Sequence, residues 1–325
     1  METILIIKPS SMGDVVHTLP AVAAIGRRYP QARLRWLVNP EWQPLLEGNR
    51  YVSQSIVFPR RELGGVTRIG RQWKWLREMR AAYRSDLVVD FQGLLRSAII
   101  GRVCRGGHLV GFAAAREGGR FFYDEAVPLE EGGRAIHSVD RYLRLAEAVG
   151  AERSSPLEWP LPEGAPPARF EESAPFILLH PFSRGAGKSL TEAEVVQFCE
   201  TVDFPVVIAG RAESGTGEYD RLDHVENLLN HTSLSELIWL IRRARCVVSV
   251  DSGPMHIAAA LRKPLLAIHT WSDPAKVGPY DPEAWVLREK MLFQMKDLNR
   301  PSAVFKPRTL PDLVAAARFV REQLG

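Results

Sequence analysis

The sequence predicts an α/β protein made of two units, each a parallel sheet covered by helices on both faces. Three observations predict it. Short apolar runs alternate with helical segments along the whole chain. At 325 residues the chain exceeds what one hydrophobic core usually serves. Six prolines between Ala151 and Pro175 interrupt the pattern, which restarts at Phe176. The expected division is a first domain over 1–155, a linker over 156–175 and a second domain over 176–325, with the last helix able to pack back on the first domain.

The first unit opens on Ile4–Ile7 (ILII), a short apolar run of the kind that forms a buried strand. It delivers Lys8–Pro20 (KPSSMGDVVHTLP), a small-residue loop that opens a helix. Asp14 falls near the start of that helix, where free backbone N–H groups and the helix dipole favour a carboxylate. The position taken alone suits a capping residue first, and otherwise an ionised carboxylate offered to a ligand. His17, three residues on, shares its face, and Pro20 kinks the helix or marks where its regular part begins. Arg33–Val38 reads as the second strand and ends in Asn39. A nicotinamide dehydrogenase would carry GxGxxG after strand one and Asp or Glu after strand two, and neither is present. Ser55–Phe58 is a further short strand.

Residues 60–84 carry eight basic side chains (Arg60, Arg61, Arg68, Arg71, Lys74, Arg77, Arg80, Arg84) against Glu62 and Glu78. Trp73, Trp75, Leu76 and Met79 are interleaved, which predicts a helix with one apolar face. The two tryptophans belong either to the core or to a membrane interface. Asp86–Asp90 (DLVVD) is a buried strand that runs into a turn at Gly93 and a helix. His108–Gly111 is a strand, Arg116, Glu117 and Arg120 lie in a Gly-rich loop, and Ser138–Val149 is a helix with Val139, Tyr142, Leu143 and Ala146 on one side.

The second unit repeats the scheme. Phe176–Leu179 is a strand followed by the polar loop HPFSRGAGKS (residues 180–189). Thr191 with Glu194, and Ser233 with Glu236, have capping-box spacing and open two helices. Val206–Ala209 is a strand leading to a Gly-rich loop. Cys246–Val250 is a strand that delivers Asp251–Leu261 (DSGPMHIAAAL), Pro264–His269 is another, and the last helix spans Pro311–Gln323.

Composition excludes several classes. Hydrophobic content of 46% and charged content of 25% are those of an ordinary globular protein. No apolar run reaches membrane-spanning length, and the first residues lack the layout of a signal peptide. Cys104, Cys199 and Cys246 are far apart and without CxxC spacing, and no HExxH pair occurs, so a structural zinc or a metal-first mechanism has no support. The net charge of +4 is uneven: residues 1–150 hold 22 Lys+Arg against 15 Asp+Glu (+7), and residues 151–325 hold 20 against 23 (−3). The first half is either a solvated basic surface or a face for an anionic partner.

The strand–turn–helix at DSGPMH suits phosphate: helix-start amides near Ser252, Gly253 and Met255 face outward, and Ser252 and His256 can add side-chain hydrogen bonds. Asp251, at a strand end, is placed for sugar hydroxyls. Ser183, Arg184 and Lys188 would bring donors and charge to the same sheet edge, although GAGKS is no GxxxxGK[ST] phosphate loop.

KPSSMGDVVHTLPA, HPFSRGAGKSL and VDSGPMHIAAAL, in that order, resemble motifs of the lipopolysaccharide heptosyltransferases of glycosyltransferase family 9. DFQGLLRSA (residues 90–98) is similar to the corresponding segment of heptosyltransferase I, the closest resemblance. The resemblance implies a GT-B fold of two Rossmann-like domains facing across a cleft, the first binding the acceptor and the second the nucleotide-sugar donor. It implies an inverting, metal-independent transfer of heptose from ADP-heptose to a Kdo-lipid A type acceptor, without cofactor, nucleic acid or metal. It places the protein in the cytoplasm, peripheral on the cytoplasmic face of the inner membrane.

On this resemblance Asp14 is the general base. Ser183, Arg184, Lys188, Asp251, Ser252, Gly253 and His256 bind the donor, with the loop around Glu218 a candidate for adenine. Ser11, Gly13, His17, Arg60, Arg61, Gln92, Arg116 and Arg120 serve the anionic glycolipid acceptor. The loop SRGAGKS departs from the more usual form with Thr or aromatic residues before the lysine, which leaves the sugar open. Two alternatives stand beside this: a family-9 transferase with another nucleotide-sugar or acceptor, and a GT-B protein that binds a nucleotide-sugar without transferring it.

Overall fold

A computed structural model describes residues 1–325 except 64–67, 130–135, 173, 184–186, 214, 299–309 and 325. The chain divides into two compact units, Met1–Pro162 and Glu163–Gly325.

In the first unit the elements are β1 (Thr3–Ile7), α1 (Met12–Arg28), β2 (Arg33–Val38), β3 (Gln54–Val57), α2 (Arg60–Leu63), α3 (Ile69–Tyr83), β4 (Ser85–Asp90), α4 (Leu95–Cys104), β5 (Arg105–Phe112), β6 (Glu125–Val127) and α5 (Ser138–Ala148). Among the described residues they build a six-stranded parallel sheet in the order β3-β2-β1-β4-β5-β6. Ile4, Leu5, Ile6 and Ile7 are fully buried, as a central parallel strand requires when both its faces are covered. α1 is helical from Met12 through Pro20, with Ser11 at its N-cap, Asp14 in the first turn and Arg27 and Arg28 in the last, so its regular part does not begin at Pro20 and Asp14 lies one turn inside the cap. Tyr51 packs so tightly on Gly26 that a Cβ there would sit 2.4 Å from the ring.

The second unit consists of β7 (Ile177–His180), α6 (Glu192–Val202), β8 (Val206–Gly210), β9 (Val225–Leu229), α7 (Leu234–Arg243), β10 (Cys246–Val250), α8 (Gly253–Ala260), β11 (Leu265–Ile268), α9 (Pro274–Val277), β12 (Trp285–Arg288), β13 (Met291–Gln294) and α10 (Leu313–Leu324). Its sheet, again among the described residues, has the order β13-β12-β11-β10-β7-β8-β9, parallel except for the final pair β12/β13. Both predicted capping boxes form, at Thr191/Glu194 and Ser233/Glu236. In each sheet the strand order reverses once, between β1 and β4 and between β7 and β10, and ligands of such sheets bind beyond the strand carboxyl ends at that point.

The proline-rich segment, the last helix and the two tryptophans can each be placed within their own unit. The expected connection over 156–175 spans the boundary between Pro162 and Glu163, and each part packs on its own unit. Glu158 accepts from Tyr51 (2.7 Å) and pairs with Arg27 (2.9 Å) and Arg50 (2.5 Å) in the first unit, while Phe170 packs on Phe176 and Trp239 in the second. In the last helix Leu313, Ala316, Ala317 and Val320 fill the second unit's core beside Val195 and Cys199 of α6. Trp75 packs on Phe58 at 5.5 Å, as a core residue should, but Trp73 is 63% exposed.

Candidate functional site

The first unit brings KPSSMGD, from the end of β1, beside DFQG, from the end of β4. Ser11 donates to Asp14 Oδ2 through both its backbone N–H (3.0 Å) and its hydroxyl (2.8 Å). Tyr142 of α5 donates its hydroxyl to Asp14 Oδ1 at 2.8 Å, and Lys8 Nζ lies 3.8 Å from the same oxygen. The carboxylate is thus clamped on one side, yet its side chain stays 35% exposed on the other. Burial works to raise its pKa, but the Lys8 ammonium, the Ser11 amide and the Tyr142 and Ser11 hydroxyls together hold it below the usual carboxylate value. Asp14 is therefore an ionised proton acceptor with an accessible face.

Lys8 is the buried counter-charge. It is 3% exposed, donates to the Phe91 carbonyl at 3.3 Å and sits 5.0 Å over the Tyr142 ring. Burial lowers its pKa against the pull of Asp14 and Asp90, and Arg141 and Arg116 add to the lowering by repulsion. Two guanidiniums therefore act on the same edge, which gives the surroundings of Asp14 an affinity for anions. Asp90 is fully buried and accepts from Ser97 Oγ (2.7 Å), Tyr123 Oη (2.8 Å), Gln92 N (2.9 Å) and Gly93 N (3.2 Å). Burial raises its pKa, and the four donors identify it as the residue that shapes the turn after β4.

Of the residues expected in this half, Ser11, Gly13, Asp14 and Gln92 come together, Gln92 accepting from Ser10 N at 3.4 Å. Arg116 joins them through the turn that bonds its N–H to the Gly93 carbonyl (2.9 Å). Arg60, exposed, and Arg61 lie in α2 just past the end of β3, and the Arg61 side chain is outside the described residues. Arg120 is exposed, its guanidinium 4.6 Å over the Phe121 ring. His17 is 4% exposed with its ring edge-on to His137 at 5.1 Å, a contact that ties α1 to the segment entering α5.

The second unit assembles its motifs at the ends of β7 and β10. Ser252 is the N-cap of α8, but its side chain caps no amide and lies 3.2 Å from both His180 Nδ1 and Ser249 Oγ. The first-turn amides at Gly253 and Met255 are thus not taken by that hydroxyl, the condition for an anion site at a helix start. His256, one turn in, is buried. Lys188 Nζ donates to Asp251 Oδ2 at 2.6 Å while keeping 30% of its side chain exposed. Burial works to raise the Asp251 pKa, but His269, Lys188 and Ser272 together hold it low. Ser183 Oγ donates to the Asp251 carbonyl (3.1 Å), and Ser189 Oγ closes the loop by accepting from Ser183 N (2.9 Å). Arg184 lies outside the described residues. Glu218, after β8, pairs with Arg221 at 2.9 Å.

His180, which terminates β7, is buried against Gly210, where a Cβ would come within 2.8 Å of its ring and where φ is +136°. Burial drops its pKa from 6.5 to about 4. Between these values the unfolded chain binds a proton that the folded chain refuses. Stability is then fully present above pH 6.5 and falls with pH through that window, by about 3 kcal/mol from this residue. Urea midpoints measured from pH 7 to pH 4 should show the loss, and His180→Asn should flatten it.

Sequence reasoning missed Lys8, Tyr142 and Arg141. Lys8 stands inside the quoted motif, where a lysine closing a buried strand was the available signal. Tyr142 reads as a core position of α5, and only tertiary packing turns its hydroxyl to Asp14.

The model of glycosyltransferase family 9 (heptosyltransferase) matches residues 71–306, most of the chain. The chain belongs to glycosyltransferase family 9. It is therefore a glycosyltransferase. Lipopolysaccharide heptosyltransferase 1 of Pseudomonas aeruginosa is 29% identical over 301 residues, covering 85% of this chain and 81% of the relative. Lipopolysaccharide core heptosyltransferase OpsX of Haemophilus influenzae is 25% identical over 318 residues, covering 93% and 88%. The solved structure of E. coli heptosyltransferase WaaC with ADP superposes with a TM-score of 0.76 at 23% identity over 98% of this chain and 99% of that one. E. coli ADP-heptose LPS heptosyltransferase II superposes with a TM-score of 0.70 at 23% identity over 88% and 90%. These likenesses show the GT-B class of the family-9 fold. Among the described residues no helix is long and apolar enough to cross a membrane.

Proposed function

We propose that this family-9 transferase moves a heptose from ADP-heptose to a Kdo-lipid A type acceptor in lipopolysaccharide inner-core synthesis, with inversion and without a metal. Its first unit binds the acceptor and its second the donor. The observation that carries the reading is Asp14: an ionised carboxylate, clamped by Ser11 and Tyr142 and backed by Lys8, with one face open. An inverting transfer needs such a group to take the acceptor hydroxyl's proton as the sugar carbon is attacked. The leaving diphosphate needs positive charge and fixed N–H donors, and Lys188 with the first turn of α8 offers both. Lys188 has three N–H donors, so it can hold Asp251 and still reach a phosphate oxygen. Asp251 and Ser252 suit the sugar hydroxyls. WaaC has been solved with ADP and with ADP-2-deoxy-2-fluoro heptose, which supports an adenine nucleotide-sugar here.

Thermal stabilisation by a panel of nucleotide-sugars tests the donor. ADP-heptose should raise Tm most, and a larger shift with a UDP- or GDP-sugar would replace it. On the acceptor side, the guanidiniums of Arg60, Arg116 and Arg120 suit Kdo carboxylates and lipid A phosphates. Arg60→Ala should raise the acceptor KM roughly tenfold, the cost of a charged hydrogen bond, while ADP-sugar binding stays intact. An unchanged KM would move the acceptor away from α2. Peripheral placement on the cytoplasmic face of the inner membrane follows from the lipid acceptor.

A further inference from the structure

α3 has two faces with different occupations. Trp75, Leu76, Met79 and Tyr83 pack on the core under the sheet, so the helix's ordinary apolar face is already used. The adjoining, solvent-facing side nevertheless carries Ile69, 53% exposed, and Trp73, 63% exposed, one turn apart. Arg77, Arg80 and Arg84 continue the same stripe at helical spacing, and all three are exposed. Between residues 68 and 84 there are six basic side chains and a single acidic one, Glu78, which lies 3.9 Å from Lys74. Core packing gives no reason for an exposed tryptophan and isoleucine among arginines. A helix that lies flat on an anionic bilayer has this composition: apolar side chains enter the acyl boundary, tryptophan sits at the headgroup level, and arginines hold lipid phosphates.

We propose that the outer face of α3 docks this protein on an anionic phospholipid bilayer, with Trp73 and Ile69 inserted and Arg77, Arg80 and Arg84 bound to headgroup phosphates. The charge alone would also suit nucleic acid, but the exposed Trp73–Ile69 pair favours lipid. This surface is independent of the sugar-transfer reading, since it uses none of the residues assigned to donor, acceptor or base.

Co-sedimentation of the full chain with vesicles of phosphatidylethanolamine and phosphatidylglycerol, containing no glycolipid and no nucleotide-sugar, tests it. The protein should bind these vesicles, release them as salt rises, and ignore phosphatidylcholine vesicles. The Ile69→Ser/Trp73→Ser pair should weaken partitioning roughly tenfold or more, as should Arg77→Glu/Arg80→Glu. Both pairs change exposed side chains, so their melting curves should match that of the unaltered protein. Asp14→Asn should bind vesicles normally, so that loss of transfer and loss of docking are told apart. Absence of binding to the anionic vesicles would overturn the proposal. So would undiminished binding by Ile69→Ser/Trp73→Ser, or binding to duplex DNA in place of vesicles.

Discussion

Asp14→Asn is expected to lower kcat by roughly 10²–10⁴-fold, the usual loss on removing a general base, while ADP affinity stays nearly unchanged. Asparagine can still accept from Ser11 and keep α1 in register, so the variant should fold. It cannot take a proton. It also leaves the buried Lys8 without its nearest counter-charge, so Tm should fall modestly as the ammonium's pKa drops further. The intact enzyme should show an acid limb in kcat/KM below the ordinary carboxylate range, because Asp14 stays ionised until its depressed pKa is passed. A low pKa also makes a weaker base, and desolvation by an acceptor covering the open side of Asp14 works against that depression. Near-normal turnover in the purified asparagine variant would remove Asp14 from the chemistry.

Lys188→Ala is expected to weaken ADP and ADP-sugar binding by about 1.5–3 kcal/mol, roughly a tenfold to hundredfold loss, the scale of a charged hydrogen bond. The pair with Asp251 gives the effect a second origin. Without the ammonium, the carboxylate at the mouth of α8 loses its partner and repels the diphosphate. Lys188→Ala/Asp251→Asn should therefore recover part of the lost ADP affinity, though not turnover. Calorimetry that finds ADP affinity unchanged in Lys188→Ala would leave the lysine as the structural partner of Asp251 alone. EDTA should leave turnover unchanged if Lys188 and the α8 amides are the diphosphate's counter-charge.

How much was legible in advance depended on how local the signal was. β2 and β10 coincide with the expected Arg33–Val38 and Cys246–Val250, because β10 is nearly all apolar and β2 ends in the apolar run Trp36–Val38. The helices at Thr191 and Ser233 announced themselves through side chains that cap their own amides. β6, β9, β12 and β13 went unread: Glu125 and Glu226 break the apolar pattern of β6 and β9 at sheet margins, and β12 with β13 forms an antiparallel pair outside the strand–helix alternation. The motif residues Asp14, Lys188 and Asp251 were legible, since Asp14 and Asp251 stand at a helix opening and a strand end and Lys188 in the polar loop between β7 and α6. Their partners were not. Tyr142 reaches Asp14 across 128 positions and Lys188 reaches Asp251 across 63, and no local pattern encodes either. Trp73 and Trp75 show the limit most plainly, since two positions along one helix separate a core side chain from an exposed one.

The transfer itself is the most direct test. Purified protein incubated with ADP-heptose and a Kdo-bearing lipid A acceptor should yield an acceptor heavier by one heptose residue. One ADP should be released per product, the new linkage should be inverted relative to the donor, and Asp14→Asn should abolish the product. Tight ADP-heptose binding with no mass change in any anionic glycolipid acceptor, or release of ADP by hydrolysis alone, would contradict it.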